Sequence, residues 1–357
     1  MSTNLLLNIV EFVGALCALI IIHEFGHFIM CRLLKVEVEE FGLGFPPHLL
    51  TLFQWRGTKF TLNALPLGGF VRPKGENDPE VPGGLAAASP WVRLAVYVTG
   101  PLSNLLVAIL LYAIIFSRLG LPITNQVLIL DVSPNSPASS VGLLPGDLIL
   151  KVNNQIIDST TALHDAIYAN LDQSMALEYQ RNGQSAQVSL VPRSQPPEGQ
   201  GAIGIVMGNP TRAISIAASL PLAAQTTYQQ SLAILTFPVQ LIRGQIAPEQ
   251  GRLVGIKGMF DIYQEVASTE PTPSVPSGVN VLGFFAMITN TLGILNLLPI
   301  PALDGGQMLF VLPELILRRR IPAKYENTIR LVSFALLLIL LIYVNVQDFI
   351  NPIQLPK

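Results

Sequence analysis

The chain has 357 residues, half of them from the AVILMFWYC set and only 12% charged, where soluble domains carry about 25% charged residues. A formal net charge of −2 supplies no basic surface for nucleic acid, and 7% aromatics exclude prion-like chains. The composition belongs in a membrane, and the length allows roughly two or three domains.

The first apolar run, residues 5–31, exceeds the about 20 residues that a span requires. No basic region precedes it and no small-residue cleavage site follows, so it reads as a retained first helix rather than a signal peptide. Glu11 lies within it and reads as a side chain snorkelling to the outer interface. Residues 49–54 and 59–65 alternate around Arg56-Gly57 as a hairpin. Three further apolar runs follow, at 91–116, 279–298 and 331–346, the last extending to 350. Four crossings place both termini on one side. The loop 32–90 holds six basic residues, and Arg318, Arg319, Arg320 and Lys324 follow the third run. By the positive-inside rule these loops are cytoplasmic, and residues 117–278 lie outside with both termini.

The outside segment has its own pattern. Residues 126–132 alternate as a strand, Ser133-Pro-Asn-Ser-Pro137 is a turn cluster, and 141–150 is a turn running into a strand. Asn153-Asn154 reads as a hairpin tip, 161–170 as a short helix, and 175–180 and 186–191 as strands around Asn182-Gly183. This is a small α+β domain. Residues 213–224 and 231–242 are apolar but too short to cross, and they read as interfacial or packed amphipathic helices. Residues 270–277, with three prolines, read as a linker back to the membrane.

The chemistry concentrates at His23-Glu24-Phe25-Gly26-His27. The i, i+4 spacing puts both imidazoles on one helical face, able to hold one zinc, with Glu24 beside them as a base. A pair of hydrogen-bonded histidines in a helix bundle is the plainer alternative, but two His and a Glu inside a span are costly and mark function. A catalytic zinc takes three protein ligands and keeps an open position. His48 and His164 are poor thirds, one in the cytoplasmic-side loop and one in the outside domain. Asp304 is better: Pro299 and Pro301 break the helix just before it, and broken backbone at membrane depth lines protein or a wet cavity. A turn at the membrane surface is the alternative for Asp304-Gly305.

These motifs resemble the site-2 protease family of intramembrane zinc metalloproteases, of the bacterial regulator-of-sigma-E protease type. The resemblance rests on HExxH in the first span, Asn296-Leu-Leu-Pro299-Ile-Pro301-Ala-Leu-Asp304-Gly305 around the third, and the outside domain. In that domain Ser136-Pro137-Ala138, Gly142-Leu143 and Gly146-Asp147 look like a bacterial PDZ domain. Phe41-Gly-Leu-Gly44, Gly68-Gly69-Phe70-Val71 and Gly100-Pro101-Leu-Ser-Asn104 also match. Gly44-Phe-Pro46-Pro47 departs from the usual Gly-Phe-Gly-Pro, and there is room for one PDZ-like domain where an enterobacterial relative has two.

The resemblance implies one zinc per chain held by His23, His27 and Asp304, Glu24 as base, and Asn296 near the scissile peptide. It implies a polytopic α-helical membrane protein with four transmembrane helices, a membrane-associated β-hairpin and one inserted α+β PDZ-like domain. The expected divisions are 1–116, 117–210, 211–278 and 279–357. The expected setting is the bacterial inner membrane, with membrane lipid around the chain and no nucleic acid. Expected substrates are single-pass membrane proteins, such as anti-sigma factors or signal-peptide remnants, cut after a first cleavage by another protease. The PDZ-like domain would either exclude substrates with bulky external parts or recruit them, and the oligomeric state is silent. An idle peptide-binding adaptor and a metal transporter are the rivals from other classes; neither explains HExxH together with Asp304.

Overall fold

The computed structural model describes residues 3–246, 251–270 and 275–352. Part of the expected linker, 271–274, lies outside the described residues, as does 353–357. The chain divides into two compact units. The first comprises Met1–Ile114, Leu220–Glu270 and Gly278–Lys357; the second comprises Ile115–Ser219 and Pro271–Ser277.

The first unit opens with α1 (Thr3–Leu33), which carries HExxH in its last third. The helix stops where Lys35 turns left-handed (φ 61°) and the Val36 N–H returns to the Cys31 carbonyl, satisfying an end carbonyl as a helix C-terminus requires. Strands β1 (Val38–Trp55) and β2 (Thr58–Pro73) follow. They form more than the expected hairpin. Each strand is bent into two segments, so residues 38–43 lie between two stretches of β2: Leu43 stands opposite both Gly69 and Leu62. Residues 48–55 pair with 58–63 beyond that. The bends fall at Gly44 (φ 80°) and Gly68 (φ 131°), where the left-handed backbone suits glycine. The tip, Arg56-Gly57, has positive φ at both residues, as a two-residue hairpin turn demands. Phe45, Leu49, Leu50, Phe53 and Trp55 are exposed there.

Helix α2 (Pro90–Leu119) packs closely on α1: a Cβ on Gly26 would meet the Thr99 carbonyl oxygen at 2.6 Å. Small residues permit this approach, as is common between membrane helices. Among the described residues, four helices are long and apolar enough to cross a membrane, over Leu5–Leu33, Pro90–Leu119, Val279–Asn296 and Ala323–Ile350. These match the four expected runs, three with longer ends and the third ending two residues earlier, at Asn296.

The region 211–278 differs from its reading. The two short apolar stretches belong to a single helix, α5 (Ile216–Ile242), with Pro221 and Pro238 inside it. Its polar middle is a contact surface rather than a break. The Tyr112 hydroxyl donates to Gln230 Oε1 at 2.6 Å, and the Ser231 hydroxyl to Asn290 Oδ1 at 2.9 Å. Helix α6 (Ile256–Ser268) was not legible as an element. It packs Phe260 and Tyr263 against Phe12 of α1, and the Tyr263 hydroxyl donates to Glu11 Oε2 at 2.8 Å. Glu11 therefore has a protein partner instead of snorkelling. Helix α7 (Val279–Asn296) leads into the proline segment, then α8 (Asp304–Leu317) and α9 (Ala323–Ile350). Asp348 near the end of α9 is fully buried, accepting from the N–H groups of Gly255 and Gly258 and pairing with Arg252 at 2.8 Å, so it caps α6.

The second unit contains β3 (Leu121–Pro122), β4 (Val127–Val132), α3 (Pro137–Ser140), β5 (Leu148–Val152), β6 (Gln155–Ile156), α4 (Thr160–Tyr168), β7 (Met175–Arg181), β8 (Gln184–Leu190), β9 (Ile205–Gly208) and β10 (Thr211–Arg212). The main sheet runs β8-β7-β5-β4-β9, with β6 on β5, while β10 pairs with β3. Alternation buries Val127, Ile129, Ile149, Met175 and Leu177 against Leu163 of α4. Ser136 and Ser159 cap α3 and α4 through their hydroxyls.

Candidate metal centre

The centre lies in the first unit and is built by three helices. Along α1, His23 and His27 are one turn apart and both are buried. Opposite them stands Asp304, the first residue of α8, where a carboxylate suits the positive end of the helix. The glycines after it set its place. A Cβ on Gly305 would lie 2.5 Å from the Leu297 carbonyl carbon, and one on Gly306 would lie 2.5 Å from that of Ile300. The start of α8 can thus press against the proline segment that precedes it.

The ligand atoms converge. His23 Nε2 lies 3.0 Å from Asp304 Oδ2, His27 Nε2 lies 3.4 Å from Asp304 Oδ1, and the two Nε2 atoms are 3.2 Å apart. Tetrahedral zinc with bonds of about 2.0–2.1 Å sets ligand atoms about 3.3 Å from one another. Three donors, two nitrogens and one oxygen, therefore stand at the edges of such a tetrahedron and fit the ion. The His27 Nδ1–H donates to the Val96 carbonyl at 2.8 Å, which leaves the Nε2 lone pair for a metal.

An open cavity of about 240 Å³ is lined by His23, Glu24, His27, Asn296 and Asp304. All five sequence-derived site residues thus share one space. Glu24 Oε2 accepts the Val71 N–H of β2 at 3.1 Å, which aims the carboxylate along the strand. Asn296, the last residue of α7, donates its Nδ2 to the Leu292 carbonyl at 3.0 Å. His48, hydrogen-bonded to Thr51, and His164, beside Asp165, contribute nothing to the lining.

Other residues had no assigned part in the sequence reading. Glu76 lines the same cavity, and burial pushes its carboxyl above the ordinary range against the lowering pull of Arg330, His27 and Arg72. Nothing in the local sequence signals it. Gly100 faces both imidazoles: a Cβ there would lie 2.5 Å from His27 Cε1 and 2.8 Å from His23 Nε2. Its motif, Gly100-Pro-Leu-Ser-Asn104, was the available signal, noted without a role.

The model of peptidase family M50 matches residues 11–340. The chain belongs to peptidase family M50. It is 30% identical to a Clostridium acetobutylicum protein named "Putative zinc metalloprotease", over 97% of this chain and 98% of that one. A Campylobacter jejuni protein of the same name is 33% identical over 92% of this chain and 90% of its own. Among solved structures, the PDZ domain of an SdrC-like protein of Listeria monocytogenes is 23% identical. It covers 23% of this chain and 87% of that one, with a TM-score of 0.21, too low to carry a structural argument. This M50 chain is a zinc metalloprotease of a membrane, of the site-2 protease family, with zinc as its cofactor.

Proposed function

We propose that this M50 protease hydrolyses peptide bonds inside transmembrane segments of single-pass membrane proteins, as the second cut after another protease has acted. The observation that carries the reading is the triangle of His23, His27 and Asp304, with Glu24 on the same cavity inside an apolar helix. One zinc per chain, held by those three residues, would supply Lewis acidity toward water and the peptide carbonyl. Glu24 takes the proton from the attacking water and returns it to the leaving amine. Asn296 turns its Nδ2 from the Leu292 carbonyl toward the developing oxyanion. Val71 and Pro73 of β2 line the cavity beside Glu24, and an unwound substrate adds to that edge as a strand.

In this reading the four long helices span the bacterial inner membrane, the exposed apolar tip of β1 and β2 rests in lipid, and 117–210 form an extracytoplasmic PDZ-like domain. Anti-sigma factors and signal-peptide remnants are substrates of the fitting kind. Glu24→Gln keeps volume and leaves all three ligands, so zinc should stay while cleavage of a transmembrane model substrate falls by orders of magnitude. Near-normal turnover in that variant refutes the mechanism.

A further inference from the structure

His23 and His27 present Nε2 to the same point, but only His27 has an unambiguous partner on its other nitrogen. The Val96 carbonyl can only accept, so His27 must carry its proton on Nδ1. On His23 the corresponding atom, Nδ1, stands 3.3 Å from the side-chain amide of Asn104, which is 1% exposed on α2. That amide turns Nδ2 toward the ring, and its Oδ1 is buried without a partner.

The two ends of an amide have nearly the same shape, and the hydrogen-bond network chooses between them. With Nδ2 facing the ring, His23 must accept at Nδ1, so its neutral form carries the proton on Nε2 and has no lone pair for a metal. With Oδ1 facing the ring, His23 donates from Nδ1 and offers Nε2 to the metal. Only the second arrangement lets both histidines serve as ligands. The Asn104 backbone is itself held, since the Thr289 hydroxyl of α7 donates to its carbonyl at 3.2 Å.

We propose that Asn104 is the positioning residue for His23: its Oδ1 accepts the Nδ1–H and fixes the tautomer that binds zinc. This rests on the zinc reading above. Partners of this kind are worth about 10–100-fold in metal affinity.

The test compares zinc affinity, by competition with a chromophoric chelator, in detergent-purified wild type, Asn104→Leu and Asn104→Asp. Leu matches the shape of Asn and cannot accept, so its zinc Kd should rise about 10–100-fold with helix content unchanged. Asp keeps the acceptor and cannot donate, so its Kd should equal or fall below that of wild type. Wild-type affinity in Asn104→Leu overturns the proposal, as does an Asn104→Asp protein that binds zinc 10-fold more weakly. Asn104→Asp decides alone if the Leu variant does not accumulate, because a donor role and an acceptor role predict opposite signs. Absence of zinc binding in wild type would instead refute the metal reading, which separates the two failures.

Discussion

Replacing Gly100 by alanine adds one methyl group beside the imidazoles of both His23 and His27. The new carbon would sit 2.5 Å from His27 Cε1 and 2.8 Å from His23 Nε2, where ordinary contacts begin at 3.4 Å. The rings must retreat by close to 1 Å, because α1 and α2 already touch through Gly26 and Thr99 and leave no slack. Metal–ligand distances tolerate about 0.2 Å, and a 1 Å misplacement of reacting groups costs on the order of 100-fold in rate. Gly100→Ala should therefore lose most of its zinc and cleave a transmembrane model substrate about 100-fold more slowly. Metal analysis of the purified protein and a cleavage time course read both effects. Gly14→Ala on α1 is the control, since a Cβ there meets nothing within 4 Å and should change neither quantity. Full zinc with cleavage near the wild-type rate in Gly100→Ala would show that the rings do not stand where the distances place them.

Asp304→Ala should keep helix content but lose zinc on dialysis, whereas full occupancy would remove Asp304 from the centre. A cysteine at Ser140 should react with an impermeant thiol reagent in intact cells and one at Arg319 only after the membrane is opened; the reverse pattern would invert the orientation. Asp348→Ala leaves Arg252 and the Gly255 and Gly258 N–H groups without their buried acceptor. It should cost about 2–4 kcal/mol, read as a lower thermal midpoint with zinc content unchanged. An unshifted midpoint would show that α6 is held by its aromatic contacts alone.

The centre was legible because its signals are local or chemically forced. HExxH is a one-turn spacing, and a two-histidine pair needing a third ligand singles out a carboxylate beyond a proline break. The long apolar helices announced themselves by length. What escaped notice depends on partners distant in sequence. Helix α5 carries prolines at 221 and 238 and a polar middle, so locally it looks like two pieces; Tyr112 and Asn290 give that middle its purpose. Helix α8 opens with Gly305 and Gly306 and contains Pro313, so its start reads as a turn although Leu, Met, Gln and Glu fill most of the rest. The refolding of β1 and β2 into four segments follows from left-handed glycines at 44 and 68, whose conformations no alternation pattern reveals. Glu76 reaches the cavity by tertiary placement alone.

His23 and Asp304 are separated by 281 positions, and this spacing sets the order of events during synthesis. A ribosome adds about 5–20 residues per second, so tens of seconds pass between the emergence of HExxH and that of its third ligand. Until α8 arrives the nascent protease has two imidazoles and a base but no finished centre. On the proposed zinc reading, the three donors come together only once α8 has been laid against α1, which makes completion of the chain its own licence.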